Sequence, residues 1–144
     1  MALLARNRAD EDSLIIIGAS SEMERAKKIL VVDDESGIRF LLSEVLLNKG
    51  FEVSLASDGQ ESLDKLEQDH FDLVVTDINM PRLDGVSMLK RMKKNGREEK
   101  IIIMTGNPSD QRLLDKEGLP HVESHLFKPF GIENFLNVVI AATA

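Results

Sequence analysis

From about residue 28 onward the chain switches repeatedly between two hydrophobic periods, and this switching constrains the fold more than any other feature. Ile29-Leu30-Val31-Val32 is a continuous apolar run, as expected of a strand buried on both faces. Val74-Val75, within Asp72–Thr76, and Ile101-Ile102-Ile103-Met104 read the same way. Phe51–Ala56 alternates more and fits an edge strand, while Val122–Phe127 is the weakest strand candidate.

Segments of helical period lie between these runs. Ile38, Leu41, Leu42, Val45 and Leu46 recur at spacings of three and four, and Asn48-Lys49-Gly50 closes that helix with a glycine cap. Ser57-Asp58-Gly59 opens the next, with Leu63 and Leu66 on its inner face. Val86, Leu89 and Met92 mark a third, closed by Asn95-Gly96. Pro108-Ser109-Asp110 starts a fourth, with Leu113 and Leu114 inside, and Gly131-Ile132-Glu133 starts the last, with Phe135, Leu136, Val139 and Ile140. Such alternation implies an α/β fold, a five-stranded parallel sheet with helices on both faces and right-handed crossovers. Ligands in such sheets bind beyond the carboxyl ends of the strands.

Composition narrows the function classes. A chain of 144 residues suits one domain. The absence of cysteine removes disulfides, thiolate metal sites and cysteine nucleophiles together. No apolar run approaches the ~20 residues of a membrane-spanning helix, so no membrane insertion is expected and a cytoplasmic location is. A net charge of −7 argues against direct nucleic-acid binding, which needs a basic surface. Residues 1–26 fall outside the alternation and read as an N-terminal extension, expected to be flexible, ahead of a domain over 27–144. Within it, Leu14-Ile15-Ile16-Ile17 is either part of a tail or a short element packed on the domain.

The strand ends carry the chemistry. Asp33 and Asp34 follow the first strand, Asp77 the third, Thr105 the fourth, and Lys128-Pro129 the fifth. All should open on one edge of the sheet. Three carboxylates at close quarters raise one another's pKa unless a cation sits among them. Mg²⁺ suits such a site, because it takes one or two carboxylates and keeps waters for substrate oxygens. With a lysine and a hydroxyl nearby, the set is equipped for phosphoryl transfer to an aspartate, giving an acyl phosphate.

These residues also carry a resemblance. Lys28-Ile29-Leu30-Val31-Val32-Asp33-Asp34-Glu35 resembles the opening of response-regulator receiver domains. Asp77-Ile78-Asn79-Met80-Pro81 with Asp84-Gly85 resembles their phosphorylation loop, and Thr105-Gly106 and Lys128-Pro129-Phe130 resemble their switch segments. The likeness covers about residues 27–142 and implies a flavodoxin-like (βα)5 fold with strand order 2-1-3-4-5. It implies that Asp77 is the phosphoacceptor, taking its phosphoryl group from a sensor histidine kinase or a histidine phosphotransfer protein. It further implies that Asp33, Asp34, Asp77 and the backbone carbonyl of Asn79 hold Mg²⁺, Asp33 mostly through metal-bound water. Lys128 would pair with the phosphoryl group, and Thr105 would move to hydrogen-bond it. A cis Lys128–Pro129 bond is implied as well.

The switch position three residues before the lysine is His125, where many receivers carry tyrosine or phenylalanine; some single-domain phosphorelay receivers carry histidine there. The resemblance also implies partner docking on Ile38, Leu41, Pro129 and Phe130, Ile38 standing where the family docks its phosphodonor, although Ile38, Leu41 and Leu42 read mainly as core. His70 and His121 read as surface residues, Asp84-Gly85 as a turn and helix start, and Lys90-Arg91-Met92-Lys93-Lys94 as a solvated helix end.

Rival functions are weaker. A haloacid-dehalogenase-type phosphatase wants an acid two residues after its nucleophile, and that place is Asn79. A flavodoxin-like electron carrier would meet its flavin phosphate with Asp33-Asp34-Glu35 and has no tryptophan or tyrosine to sandwich the ring. A scaffold that kept only the fold has no need of the complete set. The chain after Lys128 suffices for one helix, so output is expected to pass to a downstream protein target. The alternative is a receiver excised from a longer regulator or hybrid kinase.

Overall fold

A computed structural model describes residues 25–114 and 118–144. The segment Leu14–Ile17 lies outside the described residues. Five strands form one parallel sheet: β1 (Lys28–Val32), β2 (Glu52–Ala56), β3 (Leu73–Asp77), β4 (Lys100–Thr105) and β5 (Ser124–Phe127). Their spatial order is β2-β1-β3-β4-β5, the expected 2-1-3-4-5. The helices are α1 (Ser36–Asn48), α2 (Gly59–Gln68), α3 (Gly85–Lys94), α4 (Gln111–Leu114) and α5 (Ile132–Thr143).

The continuous apolar runs supply two cores at once, because successive side chains of a strand point to opposite faces. Leu30, Val32, Val74, Ile101 and Ile103 meet Leu66 of α2 and Met88, Leu89 and Met92 of α3. Ile29, Val31, Val75, Ile102 and Met104 meet Leu42 and Leu46 of α1 and Phe135 and Val139 of α5. Helices α1 and α5 therefore cover one face and α2 and α3 the other. Truncating a residue such as the fully buried Ile102 to alanine would cost about 2–5 kcal/mol.

Local signals set the helix ends. At the end of α1, Gly50 takes φ +89°. Its N–H donates to the Leu47 carbonyl, and the Phe51 N–H donates to that of Leu46, the paired bonds that satisfy a helix's orphan carbonyls. The N-terminus of α2 is capped by Asp58, which accepts from the Glu61 N–H at 2.8 Å, while Glu61 accepts from the Ser57 N–H at 2.7 Å. Asp84 caps α3 through the Ser87 N–H, as the turn-and-helix-start reading expects.

Several expectations need correction. Leu41 is 46% exposed and Ile140 48% exposed, so neither is core. The apolar stripes of α1 and α5 are wider than the face that the sheet covers, leaving Phe40, Leu41, Leu47 and Ile140 exposed. The fifth strand begins at Ser124, where pairing with Ile102 starts, and not at Val122. Among the described residues the fourth helical region opens as a 3₁₀ turn over Pro108–Asp110 and continues as α-helix over Gln111–Leu114, in line with a helix start at Pro108-Ser109-Asp110. Leu114 packs against the first core; the Leu113 side chain lies outside the described set. The third strand runs Leu73–Asp77, so Asp77 is its last residue and pairs with Met104.

Candidate functional site

Parallel strands in one register must end on one edge, and that edge gathers residues distant in sequence. Strand β1 delivers Asp33 and Asp34, and β3 delivers Asp77. One carboxylate oxygen from each of the three lies within 4.8 Å of the others. Asp33 is fully buried and Asp77 only 7% exposed, while Asp34 faces solvent. The loop after β5 brings in Lys128, whose Nζ donates to Asp33 Oδ2 at 2.7 Å and to Asp77 Oδ2 at 3.1 Å.

Neighbouring contacts fix these side chains. Asp33 Oδ1 accepts from the Glu35 N–H at 2.9 Å, and the Arg39 guanidinium donates to the Asp33 carbonyl at 2.7 Å. The start of α1 thus clamps the end of β1. Asp77 Oδ1 accepts from the Ile78 N–H at 2.7 Å, leaving Oδ2 for Lys128. The Lys128 N–H donates to the Thr105 carbonyl at 2.7 Å, and Phe130 stacks on Phe135 with ring centroids 5.8 Å apart. Together they hold the loop that carries the lysine. The Lys128–Pro129 peptide is cis.

Glycine permits a further close approach. A Cβ at Gly85 would stand 2.3 Å from the Asp77 carbonyl oxygen and 2.9 Å from Ile78 Cα. The N-terminus of α3 therefore lies against the Asp77 backbone. The loop between them is tied to α2 by Arg82, at φ +65°, whose guanidinium reaches both oxygens of Asp58, at 2.8 and 3.1 Å.

Electrostatics follow from this packing. Burial pushes the Asp77 carboxyl above its ordinary range, and nearby Asp33 adds to the effect. Lys128 works against the rise without cancelling it. Burial also disfavours the Lys128 ammonium, but its hydrogen bonds to Asp33 and Asp77 prevail and hold its pKa above the usual lysine value. Asp33, Asp34 and Asp77, with Glu35 3.7 Å from Lys128 Nζ, gather around one ammonium, leaving an excess of negative charge held on oxygen donors. That donor set suits a hard divalent cation such as Mg²⁺.

The remaining expected site residues fall in three places. Thr105 ends β4 and is 1% exposed, but its hydroxyl turns to Asp110, with Oγ1 2.5 Å from Asp110 Oδ2. Asn79 donates its side-chain amide to the same oxygen at 3.0 Å. Ile38, Leu41, Pro129 and Phe130 do come together, lining one groove of about 390 Å³ beside Lys128. His125 stands on β5 in register with Ile103, half-buried, and its Nε2 finds no hydrogen-bond partner among the described residues. His70 and His121 are exposed, and the cationic side chains Lys90, Arg91, Lys93 and Lys94 line the exposed end of α3, as expected.

Asp110 is the residue that sequence reading passes over. It is 6% exposed and joins Thr105 to Asn79. Its position beside Pro108 and Ser109 reads only as a helix start, and no periodicity marks it as a buried acceptor.

Comparison with known proteins identifies the family and the fold. A family model described as the response regulator receiver domain matches residues 29–140. Sporulation initiation phosphotransferase F of Bacillus subtilis is 36% identical over 113 residues, covering 78% of this chain and 90% of that protein. Response regulator MprA of Mycolicibacterium vanbaalenii is 36% identical over 110 residues, covering 76% of this chain but 47% of MprA, so the chain spans about half that relative's length. Among solved structures, response regulator protein TrrA from Thermotoga maritima, in complex with Mg²⁺ and BeF, aligns with TM-score 0.71 and 33% identity. That alignment covers 81% of this chain and 98% of TrrA. Two-thirds and more of the chain follows one family from the first strand to the last helix: it belongs to the response regulator receiver domains of two-component systems, which act as phosphoacceptor switches.

Proposed function

We propose that Asp77 accepts a phosphoryl group from a phosphohistidine donor and that the resulting acyl phosphate switches the domain's surface for protein partners. The observation that carries this reading is the pairing of the buried Asp77 carboxylate with Lys128 at 3.1 Å, inside a cluster of acidic groups. One Asp77 oxygen attacks phosphorus in line. The P–N bond of the donor breaks, and the leaving imidazole keeps the electron pair. Lys128 balances charge on the phosphoryl oxygens as the group arrives.

Asp33, Asp34, Asp77 and the Asn79 backbone carbonyl are the residues that would hold Mg²⁺. The ion supplies charge neutralisation to the transferring group, and the likeness to a structure that carries Mg²⁺ and BeF supports this assignment. Catalysis is confined to the domain's own phosphorylation and dephosphorylation. Residues 27–144 form the switching unit, with 1–26 as an extension to it.

The donor, a sensor histidine kinase or a histidine phosphotransfer protein, docks on the groove lined by Ile38, Leu41, Pro129 and Phe130, where apolar surface borders Lys128. Thr105 and His125 carry the conformational response to a downstream protein target. The protein acts in the cytoplasm and does not contact nucleic acid directly, in keeping with its net charge of −7. A phosphotransfer profile against purified kinases and phosphotransfer proteins tests the reading. One donor should label the chain much faster than the rest, and no transfer from any phosphohistidine donor would contradict it.

A further inference from the structure

We propose that Asp110 is a positioning residue that holds the Thr105 hydroxyl away from the phosphoacceptor, so that phosphorylation must compete with it for that hydroxyl. The proposal rests on the reading of Asp77 as phosphoacceptor and Thr105 as its responding residue.

A threonine hydroxyl has a single proton to donate. The Thr105 oxygen lies 2.5 Å from Asp110 Oδ2 and 3.2 Å from the Asn107 carbonyl, and it accepts from the Asn107 N–H at 3.1 Å. The contact with Asp110 is much the shorter of the two acceptor contacts, so the proton sits on the Asp110 side. Thr105 and Asp110 are both buried, which keeps water from taking over either end. A phosphoryl oxygen on Asp77 can receive that proton only after the Thr105–Asp110 bond opens.

Opening does not strand the carboxylate. Asn79, two residues beyond Asp77, donates its amide to the same Asp110 oxygen at 3.0 Å. Asp110 therefore keeps one donor when it loses the other, which makes two discrete arrangements accessible. Because Asn79 belongs to the loop leaving Asp77, a change at the phosphoacceptor reaches Asp110 directly. The same carboxylate thus sets how strongly the phosphoryl group must pull before Thr105 moves.

The test is a beryllofluoride titration of the full chain with Mg²⁺, read by amide chemical shifts near Asp77 and Thr105. Wild type, Asp110→Asn, Thr105→Val and the double variant form a cycle. In the wild-type background, Asp110→Asn should lower the half-saturating concentration about tenfold, the scale of one charge-assisted hydrogen bond. In the Thr105→Val background the same change should shift it less than about twofold, the scatter of independent sites. An equal gain in both backgrounds would show that Asp110 acts through charge alone and would overturn the proposal; so would no gain at all.

Should the variants fail to fold, a crystal structure of the wild type with Mg²⁺ and beryllofluoride decides. Thr105 Oγ1 should have left Asp110 for a fluoride, and its retention on Asp110 overturns the proposal. A wild type that shows no beryllofluoride response at Asp77 would overturn the underlying reading too, whereas a response indifferent to Asp110 overturns this inference alone.

Discussion

Lys128 Nζ donates to Asp77 Oδ2 across 3.1 Å, although 51 residues separate the two in sequence. The contact exists because β3 and β5 flank β4 in one parallel sheet and so end on the same edge. It places a cation, itself 19% exposed, against a carboxylate that burial presses toward its neutral form, and offsets part of that pressure. In the proposed reaction an uncharged Asp77 would be a poor nucleophile, so the lysine would favour the reactive form before any phosphoryl group arrives.

Replacing that lysine should separate chemistry from signalling. Lys128→Ala is expected to retain some labelling but to lose the conformational response, because a ligand shifts an equilibrium only through its differential interaction with the two states. Amide shifts that respond to beryllofluoride identically in variant and wild type would contradict this.

Mg²⁺ should stabilise the domain and be required for labelling. Asp34→Ala is expected to weaken Mg²⁺ binding by about tenfold or more, the scale of one lost charge-assisted contact. Calorimetric titration measures it. Full labelling in excess chelator would refute the requirement.

A methyl group added at Gly85 should disturb the site without removing any functional group. Its Cβ would meet the Asp77 carbonyl oxygen at 2.3 Å, and backbone cannot step aside as a flexible side chain can. Gly85→Ala should cost about 1–3 kcal/mol, a fall in melting temperature of about 4 °C per kcal/mol in a domain of this size, and should slow labelling as well. An unchanged melting temperature would show that the helix end can shift freely.

Acid should weaken the start of α2. Burial alone would raise the Asp58 pKa, but the Glu61 N–H and the Arg82 guanidinium outweigh it and hold the carboxyl below its usual range. The Ser57 N–H and hydroxyl do the same for Glu61. A carboxylate whose folded pKa lies below its unfolded one contributes fully above the unfolded value, and loses that contribution as pH falls through the folded one. The loss should therefore begin near pH 4 and deepen below it, as expected for carboxylates of ordinary unfolded pKa of about 4. Asp58→Ala should cost about 1 kcal/mol at pH 7 and distinctly less at pH 3. Denaturant unfolding at the two pH values compares them, and an equal cost at both would reject the account.

The legibility of this site in the sequence depended on where each residue stands. Asp33, Asp34, Asp77 and Lys128 lie at or just beyond strand ends, and once five parallel strands are recognised the sheet dictates that they converge. The groove residues Ile38, Leu41, Pro129 and Phe130 were legible through family likeness, while periodicity alone assigned Leu41 to the core. That error has a physical source, since hydrophobic spacing reports which residues share a helix face and not how much of that face a neighbour covers. Asp110 was opaque for another reason. Its contact with Thr105 depends on the path of the loop through Asn107 and Pro108, and loop paths leave no periodic trace.

The central claim is that Asp77 takes the phosphoryl group. Its most direct test incubates wild type and Asp77→Asn with acetyl phosphate and Mg²⁺, and maps the modified peptide by mass spectrometry. The wild type should gain one hydroxylamine-labile phosphoryl group on the peptide that contains Asp77. The variant, which keeps the shape but not the nucleophilic charge, should remain unlabelled while its circular dichroism stays that of the folded domain. Undiminished labelling of Asp77→Asn, or a label mapped to another residue, would contradict the account.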